Sequence, residues 1–193
     1  HSLSPRLHNY WLKEYKIDGA FIPLSVKPEN LHQAIRSLPA LGFAGANLTV
    51  PHKETALNAV DRVDKNAARI GAINTLVVSN DGSIEGKNTD GVGFVEALEA
   101  STNIESLKGN PVVLLGAGGA ARAITAALQD YGAGEIYLVN RTLERAERMR
   151  DDLGGKIIPV DWKERADVLS GAKLLVNTTV LGMAGQPVLE INL

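Results

Sequence analysis

The stretch VVLLGAGGAARAI, from Val112 to Ile124, places an apolar run directly before a glycine-rich turn and a run of small helix-forming residues. It fits the pattern G-x-G-x-x-[G/A], in which Gly116 allows a tight turn, Gly118 lets the backbone approach a pyrophosphate, and the small Ala121 packs helix on strand. A phosphate would lie at the helix N-terminus, where free N–H groups and the helix dipole attract anions. The strand before the turn and the strand IYLVN after the helix favour a dinucleotide site over a turn without a ligand.

The end of the second strand indicates which dinucleotide binds. A site for NAD carries Asp or Glu about 20 residues beyond the glycine turn, where the carboxylate binds the ribose diol. Here Asn140 stands at that position, followed by Arg141, Thr142 and Arg145. Two guanidinium groups would grip a 2′-phosphate through charge-assisted bonds, so the sequence favours NADP. The alternative is that Thr142 only caps the helix and the arginines are solvated surface residues.

Outside this stretch, strands and helices alternate along the chain, as is typical of an α/β protein with a largely parallel sheet. Before the glycine turn the pattern predicts helices over 5–17, 28–39, 51–60 and 91–100, strands over 20–26 and 43–50, and a hairpin turning on Asn80, Asp81 and Gly82. After it we expect a helix over 120–131, the strand IYLVN, a helix over 143–153, and the strands KIIPV and KLLVNTT. This pattern predicts two lobes, with the boundary between them at about residues 90 to 110.

The composition favours a small-molecule partner. The 193 residues are 45% apolar and 22% charged, and no apolar run approaches the ~20 residues that span a membrane. With 20 basic and 22 acidic residues there is no positive field for nucleic acid. The absence of cysteine excludes disulfides, thiolate metal sites and a cysteine nucleophile, and we expect no metal. A cytoplasmic location fits. Because the chain starts at His1 without a signal peptide, we expect it to begin inside a longer gene product.

A nicotinamide cofactor implies hydride transfer, which also requires a group that exchanges the hydroxyl proton of the substrate. In ANLTVPHKE, Lys53 follows a strand and opens the predicted helix, at the sheet edge where α/β proteins bind ligands. His52 is an alternative base, although a single histidine more often packs or lies on the surface. In GKNTDGVGF, Asp90 lies in a turn before a helix, where an isolated aspartate would more often be a cap.

Further polar residues stand where they would border the same cleft. Thr49 and Asn74 lie at or near strand ends, and with one amine and one acid they suit a polyhydroxylated substrate. In HSLSP, Ser2 and Ser4 project to one side of an extended segment while the residue between them points away. Ser4 followed by Pro5 also fits a helix cap, so the two serines would present hydroxyls to a carboxylate beside a helix start.

Seven motifs, in order and at similar spacing, resemble the shikimate dehydrogenase family: HSLSP, NLTVPHK, GAINTL, NTDGVGF, GAGGAARA, NRT and NTTVLGM. The resemblance implies two lobes, an N-terminal α/β substrate-binding domain over 1–90 and a C-terminal Rossmann-type NADP-binding domain over 91–193, the latter incomplete. It also implies reversible NADP-dependent reduction of 3-dehydroshikimate to shikimate, in the pathway to chorismate and the aromatic amino acids, by a monomer or homodimer.

The resemblance also implies roles for individual residues. Lys53 and Asp90 form the catalytic pair. The substrate carboxylate binds Ser2 and Ser4, and its hydroxyls bind Thr49, Asn74 and Asp90. The cofactor would be held at the pyrophosphate by Gly116, Ala117, Gly118, Gly119 and Ala120, at the adenosine phosphate by Asn140, Arg141, Thr142 and Arg145, and toward the nicotinamide by Thr179.

The ends of the chain depart from the family pattern. Members usually have a strand and a glycine-proline turn before HSLSP, and a further stretch after the GM motif that carries a substrate-binding glutamine. This chain ends at Asn192 and Leu193, so we expect truncation at both ends and an active site that lacks this glutamine.

Two alternative functions remain open. One is a quinate/shikimate dehydrogenase using NAD or NADP, although the arginines argue against a strong preference for NAD. The other is a non-catalytic homologue that binds shikimate-like ligands to regulate transcription. The presence of Lys53 and Asp90 argues against this alternative, as does the lack of a basic DNA-binding segment.

Overall fold

The computed structural model describes residues 2–191 and contains two four-stranded β-sheets. The first sheet has the strand order β1-β3-β4-β2, with β1 (Gly45–Asn47), β2 (Arg62–Val63), β3 (Thr75–Val78) and β4 (Ile84–Lys87). Strand β3 pairs antiparallel with β1 and β4, and β2 pairs parallel with β4. His1 of the HSLSP motif, and Asn192 and Leu193 where the sequence ends, lie outside the described residues.

The second sheet is entirely parallel and carries the glycine turn. It comprises β5 (Val112–Leu115), β6 (Ile136–Asn140), β7 (Ile157–Asp161) and β8 (Leu174–Asn177), in the order β7-β6-β5-β8. All four residues of β5 are fully buried, because apolar side chains cover both faces of this central strand. Such an arrangement is the first half of a dinucleotide-binding fold, so the Rossmann-type prediction for this part of the chain is confirmed.

The helices pack on these sheets and link them. Their bounds are α1 (Ser4–Glu14), α2 (Leu31–Ser37), α3 (Lys65–Ile70), α4 (Asp90–Ser101), α5 (Gly119–Tyr131) and α6 (Leu143–Leu153). Helix α4 begins directly beyond the first sheet, and its Gly91 packs against the backbone of Ala123 in α5. The predicted domain division therefore falls at the start of a helix that touches both halves. Within residues 2–191, every helix is too short or too polar to cross a membrane.

Three local predictions from the sequence differ from the structure. Residues 20–26 form no strand: residues 20–22 and the edge strand β1 line a cavity of about 690 Å³, and the backbone N–H and carbonyl of Phe21 bond the Asn9 side chain instead of a neighbouring strand. The predicted helix over 51–60 is only a 3₁₀ turn over Thr55–Ala59, so Lys53 lies in a turn rather than opening a helix. The largely parallel sheet holds only for the second sheet, because the hairpin at Gly82 makes β3 and β4 antiparallel.

Asp61 joins three parts of the first lobe. Its carboxylate accepts a hydrogen bond from the backbone N–H of Ile84 at 2.7 Å and one from the guanidinium of Arg36 at 2.8 Å. These bonds favour the ionised form, and the backbone hydrogen bond is the main reason that the pKa of Asp61 is lowered. A carboxyl group with a lowered folded-state pKa stabilises the fold above its unfolded pKa, and this stabilisation is lost as the pH falls through the folded-state value.

We therefore expect Asp61→Asn to lower the free energy of unfolding at pH 7. The difference between variant and wild type should shrink as the pH is lowered below about 4, the usual carboxyl range. Urea denaturation at a series of pH values measures both effects. The control is Asp167→Asn, at an exposed position. An Asp61→Asn difference that stayed constant from pH 7 to pH 3 would contradict this assignment.

Candidate active site between the two sheets

Lys53 and Asp90 form a close ion pair. The Lys53 Nζ lies 2.6 Å from Asp90 Oδ2, and the two side chains are 13% and 24% exposed. Asp90 is the first residue of α4, where the helix dipole favours a carboxylate. Lys53 lies in the turn between β1 and the 3₁₀ segment. The structure thus brings together the two residues that the sequence predicts as the catalytic pair.

Asn74 fixes the second oxygen of this carboxylate. Its amide Nδ2 donates to Asp90 Oδ1 at 2.8 Å and also lies 2.9 Å from the hydroxyl of Thr89. Its own oxygen accepts from the hydroxyl of Thr75 and the backbone N–H of Thr89. Asn74 is 8% exposed, and its four bonds hold the Asp90 carboxylate in one orientation.

Asn88 is a supporting residue that the sequence reasoning did not single out. It is 4% exposed, and its amide donates to the carbonyl of Ala72 at 3.0 Å while its oxygen accepts from the backbone N–H of Asp90. A buried asparagine must satisfy its amide, and here it does so by tying the start of α4 to the segment before β3 that carries Asn74. The spacing Asn-x-Asp before a helix was the available signal, since it is typical of an Asx turn.

The predicted substrate residues line one cavity of about 430 Å³. Its walls include Ser2, Ser4, Thr49, Asn74 and Asp90. Ser4 does not cap the helix as predicted: α1 begins at Ser4 itself, after Leu3 in helical conformation, and the Ser2 hydroxyl instead accepts from the Ser4 backbone N–H at 3.2 Å. Both serines nevertheless face the same cavity as the Asp90 carboxylate.

The glycine turn approaches this pair from the second sheet. Gly116 has a positive φ of 106°, and a Cβ there would lie 2.6 Å from the Thr178 hydroxyl oxygen. A Cβ on Gly119 would lie 3.0 Å from the Cβ of Lys53, so α5 begins in contact with this lysine. By contrast, the space beside Gly118 is open for 4 Å in the direction of a Cβ.

A second cavity, of about 290 Å³, lies between the glycine turn and Lys53. It is lined by most of the predicted cofactor residues, namely Gly116, Ala117, Gly118, Gly119, Asn140, Arg141, Arg145 and Thr179. Ala120 and Thr142 do not line it. Ala120 lies inside α5, and Thr142 precedes α6, where its carbonyl accepts from the Asn140 amide at 2.7 Å.

Two further lining residues were missed by the sequence reasoning. Trp162 directly follows β7, at the carboxyl end of a parallel strand, which is where ligands bind in such sheets. Glu54 follows Lys53, and its carboxylate lies 3.5 Å from the Arg145 guanidinium across the cleft. The position of Trp162 after an apolar strand was a usable signal, whereas the contact of Glu54 depends on how the two lobes meet.

The residues present fit a dinucleotide. The open space at Gly118 leaves the N-terminus of α5 accessible to a pyrophosphate. Arg141 directly follows β6, where a carboxylate would oppose a 2′-phosphate, and Arg145 lies in the first turn of α6. The fold and the site together define a nicotinamide-dependent dehydrogenase.

Comparison with known proteins gives the family. The family model described as the shikimate dehydrogenase substrate binding domain matches residues 1–76, and that described as shikimate / quinate 5-dehydrogenase matches 98–187. A shikimate dehydrogenase (NADP(+)) from Paramagnetospirillum magneticum is 55% identical over all 193 residues, which correspond to 70% of that protein. The chain belongs to the shikimate dehydrogenase family.

Solved structures agree with this assignment. A Thermus thermophilus shikimate 5-dehydrogenase in complex with NADP(H) and shikimate is 38% identical, with a TM-score of 0.80 over 95% of this chain and 66% of that one. A quinate dehydrogenase from Corynebacterium glutamicum in complex with NAD is 28% identical, with a TM-score of 0.84 over 96% of this chain and 69% of that one. The chain therefore spans roughly two thirds of the length of the proteins to which it is similar.

The two central glycines allow a direct test of this site. We expect Gly116→Ala to destabilise the fold by about 1–3 kcal/mol, because the new Cβ meets both a strained φ and the Thr178 side chain. We expect Gly118→Ala to stay within about 1 kcal/mol of wild type, because its backbone is extended at φ −110°. Gly118→Ala should instead weaken NADP binding at least tenfold, since its methyl group points into open space where the pyrophosphate would lie.

Urea unfolding and a fluorescence titration with NADP measure the two effects separately. Tight NADP binding by Gly118→Ala would show that the pyrophosphate does not approach this turn.

Proposed function

We propose that this chain carries the catalytic pair, the substrate site and the cofactor site for the NADP-dependent interconversion of 3-dehydroshikimate and shikimate. The cavity of about 290 Å³ beside the glycine turn is called the cofactor cavity, and the cavity of about 430 Å³ is called the substrate cavity. One observation carries the proposal: Lys53 lines the cofactor cavity, Asp90 lines the substrate cavity, and the two residues form an ion pair where the cavities meet. A substrate bound beside Asp90 would thus have its reacting carbon between the amine and the glycine turn.

The chemistry of the pair follows from its hydrogen bonds. The glycine turn, Asn140 and the two arginines would hold NADP, which would supply or accept the hydride at the substrate carbon. During reduction, the Lys53 ammonium donates a proton to the oxygen that forms the alcohol, and during oxidation the amine takes it back. Asp90 accepts from Lys53 through one oxygen and from Asn74 through the other, so it orients the amine toward the substrate cavity.

The remaining substrate contacts belong to the same proposal. Ser2 and Ser4, at the start of α1, would donate hydroxyl hydrogens to the substrate carboxylate. Thr49 would bind a ring hydroxyl beside Asp90, and Asn74 would bind one by releasing its bond to the Thr89 hydroxyl, because its amide is otherwise fully hydrogen-bonded. This combination of two donors at one end and mixed donors and acceptors at the other suits a hydroxylated ring acid, and the cavity of about 430 Å³ has room for one.

The cofactor preference rests on the end of β6. Asn140, Arg141 and Arg145 line the cavity there, and no carboxylate stands at the end of β6 to bind a free ribose diol. This supports NADP over NAD as the cofactor. The ion pair of Lys53 and Asp90 supports an enzyme over a non-catalytic regulator. Cytoplasmic location, and a monomeric or homodimeric state, remain predictions made with this proposal.

Replacing the lysine tests the catalytic role. We expect Lys53→Ala to lower kcat by about 10²–10⁴-fold while KM for shikimate changes far less, because the proton transfer is lost and the binding contacts remain. Steady-state NADPH production with shikimate as substrate, measured on the full-length protein, gives both constants. Lys65→Ala, at an exposed position on α3, is the matched control. A kcat for Lys53→Ala close to that of wild type would contradict the proposed role of Lys53 in proton transfer.

Replacing the first arginine tests the cofactor assignment. We expect Arg141→Ala to raise KM for NADP by roughly tenfold or more, because a charge-assisted hydrogen bond to the 2′-phosphate contributes about 1.5–3 kcal/mol. KM for NAD should stay near its wild-type value. The control is Arg148→Ala, which removes the same positive charge from an exposed position on α6. It shows how much KM changes from the loss of one charge alone. Equal effects of Arg141→Ala on NADP and NAD would exclude a contact with the 2′-phosphate.

A further inference from the structure

Helix α5 of the second lobe contacts the first lobe through Gly119 and, one turn later, Arg122. Gly119 lies against Lys53, as described above, and a Cβ there would also lie 3.5 Å from the Cβ of Ala72. The Arg122 side chain is 11% exposed, and its Nε donates to the carbonyl oxygen of Ile70 at 2.5 Å. Its Nη2 lies 2.7 Å from Asp152 Oδ2 at the end of α6. Arg122 therefore joins α5, α6 and the end of α3.

The chain just beyond this carbonyl, residues 70–74, supports both members of the catalytic pair. The Ile73 N–H donates to the backbone oxygen of Lys53 at 2.7 Å. The Ala72 carbonyl accepts from Asn88, whose oxygen in turn accepts from the Asp90 backbone N–H. Asn74 binds the Asp90 carboxylate directly. A displacement of residues 70–74 would thus move the amine and the carboxylate.

Gly71 shows how closely the guanidinium is packed on this segment. It has a positive φ of 71°, and a Cβ there would lie 2.8 Å from Arg122 Nη2 and 3.1 Å from Nε. A side chain at this position would be strained by the positive φ and would require the guanidinium to move. The planar fork of Arg122 is therefore fitted between the Ile70 carbonyl, Gly71 and Asp152, a geometry that a lysine reproduces only in part.

We propose that Arg122 is a positioning residue for the reaction: by holding residues 70–74 against α5, it sets the place of Lys53 and Asp90 relative to the glycine turn. This proposal rests on the proposed function. Arg122 lines neither the substrate cavity nor the cofactor cavity, so its effect is transmitted through the Ile70 carbonyl. A misplacement of reacting groups by about 1 Å can reduce a rate on the order of 10²-fold, which gives the scale of the effect.

Arg122→Met keeps the length of the side chain and removes its donors. We expect kcat to fall by roughly 10- to 100-fold, while KM for shikimate and the Kd for NADP stay within about threefold of wild type. Arg122→Lys, which keeps the charge and can still donate to the Ile70 carbonyl, should recover part of kcat.

The chain offers a matched control. Arg69 also joins the lobes, through an ion pair with Asp130 at 2.7 Å, but both side chains are well exposed and the pair does not touch residues 70–74 through a backbone carbonyl. We expect Arg69→Met to leave kcat within about twofold of wild type. An equal loss of kcat in Arg69→Met and Arg122→Met would show that Arg122 acts only as one of several contacts between the lobes. That result would overturn the proposal.

Amide hydrogen exchange on the cofactor-free protein gives a readout that does not depend on activity. Arg122→Met should speed exchange in peptides covering 70–74 and 86–92, with little change in strands β5 to β8, and Arg69→Met should not. Faster exchange spread evenly over both sheets, or an unchanged kcat in Arg122→Met, would contradict the proposal. If the wild-type protein oxidised no shikimate, the proposed function would fail, while the exchange pattern would still decide whether Arg122 fixes this segment.

Discussion

The site depends on one ion pair whose partners come from distant parts of the chain. Lys53 and Asp90 are separated by 37 residues, and each is largely shielded from water where they meet. A partly buried charge that loses its partner is unfavourable, so both segments must be placed accurately for either to be stable there. Much of the surrounding polar structure serves this placement. Asn74 and Asn88 are the clearest cases, because both are buried and both bind Asp90.

The second sheet contributes a different constraint, which is steric. Gly119 begins α5 in contact with Lys53, and the space left by its missing side chain allows the helix N-terminus to pack against the aliphatic part of the lysine. The same helix start presents its free N–H groups at the open side of Gly118. Close approach on one side and open space on the other put the accessible N-terminus of α5 directly beside Lys53, and the proposed function requires the cofactor and the lysine to be adjacent in this way.

Parts of this arrangement could be predicted from the sequence, because they are formed by residues that are close together along the chain. The apolar strand, glycine turn and helix around Gly116 form one continuous unit, so its pattern predicts its structure. The pairing of Lys53 with Asp90 was implied by the resemblance to a family, because the residues alone indicated only that each would border the same cleft. The 3₁₀ turn after Lys53 and the unpaired segment 20–26 could not, because their conformation depends on neighbours distant in sequence. Contacts between lobes, such as that of Arg122 with Ile70, leave no periodic signal.

The contacts between the two lobes differ in strength: the one near the proposed phosphate site is weak, and those near Lys53 and Asp90 are strong. At the mouth of the cofactor cavity, Glu54 and Arg145 lie 3.5 Å apart and both are about half exposed, so their attraction is worth at most about 1 kcal/mol. Deeper in, the contact is close-packed at Gly119 and hydrogen-bonded at Arg122. A phosphate arriving at Arg145 would therefore displace only a weak, hydrated partner. The contacts that support Lys53 and Asp90 would stay intact, because they do not involve Arg145 or Glu54.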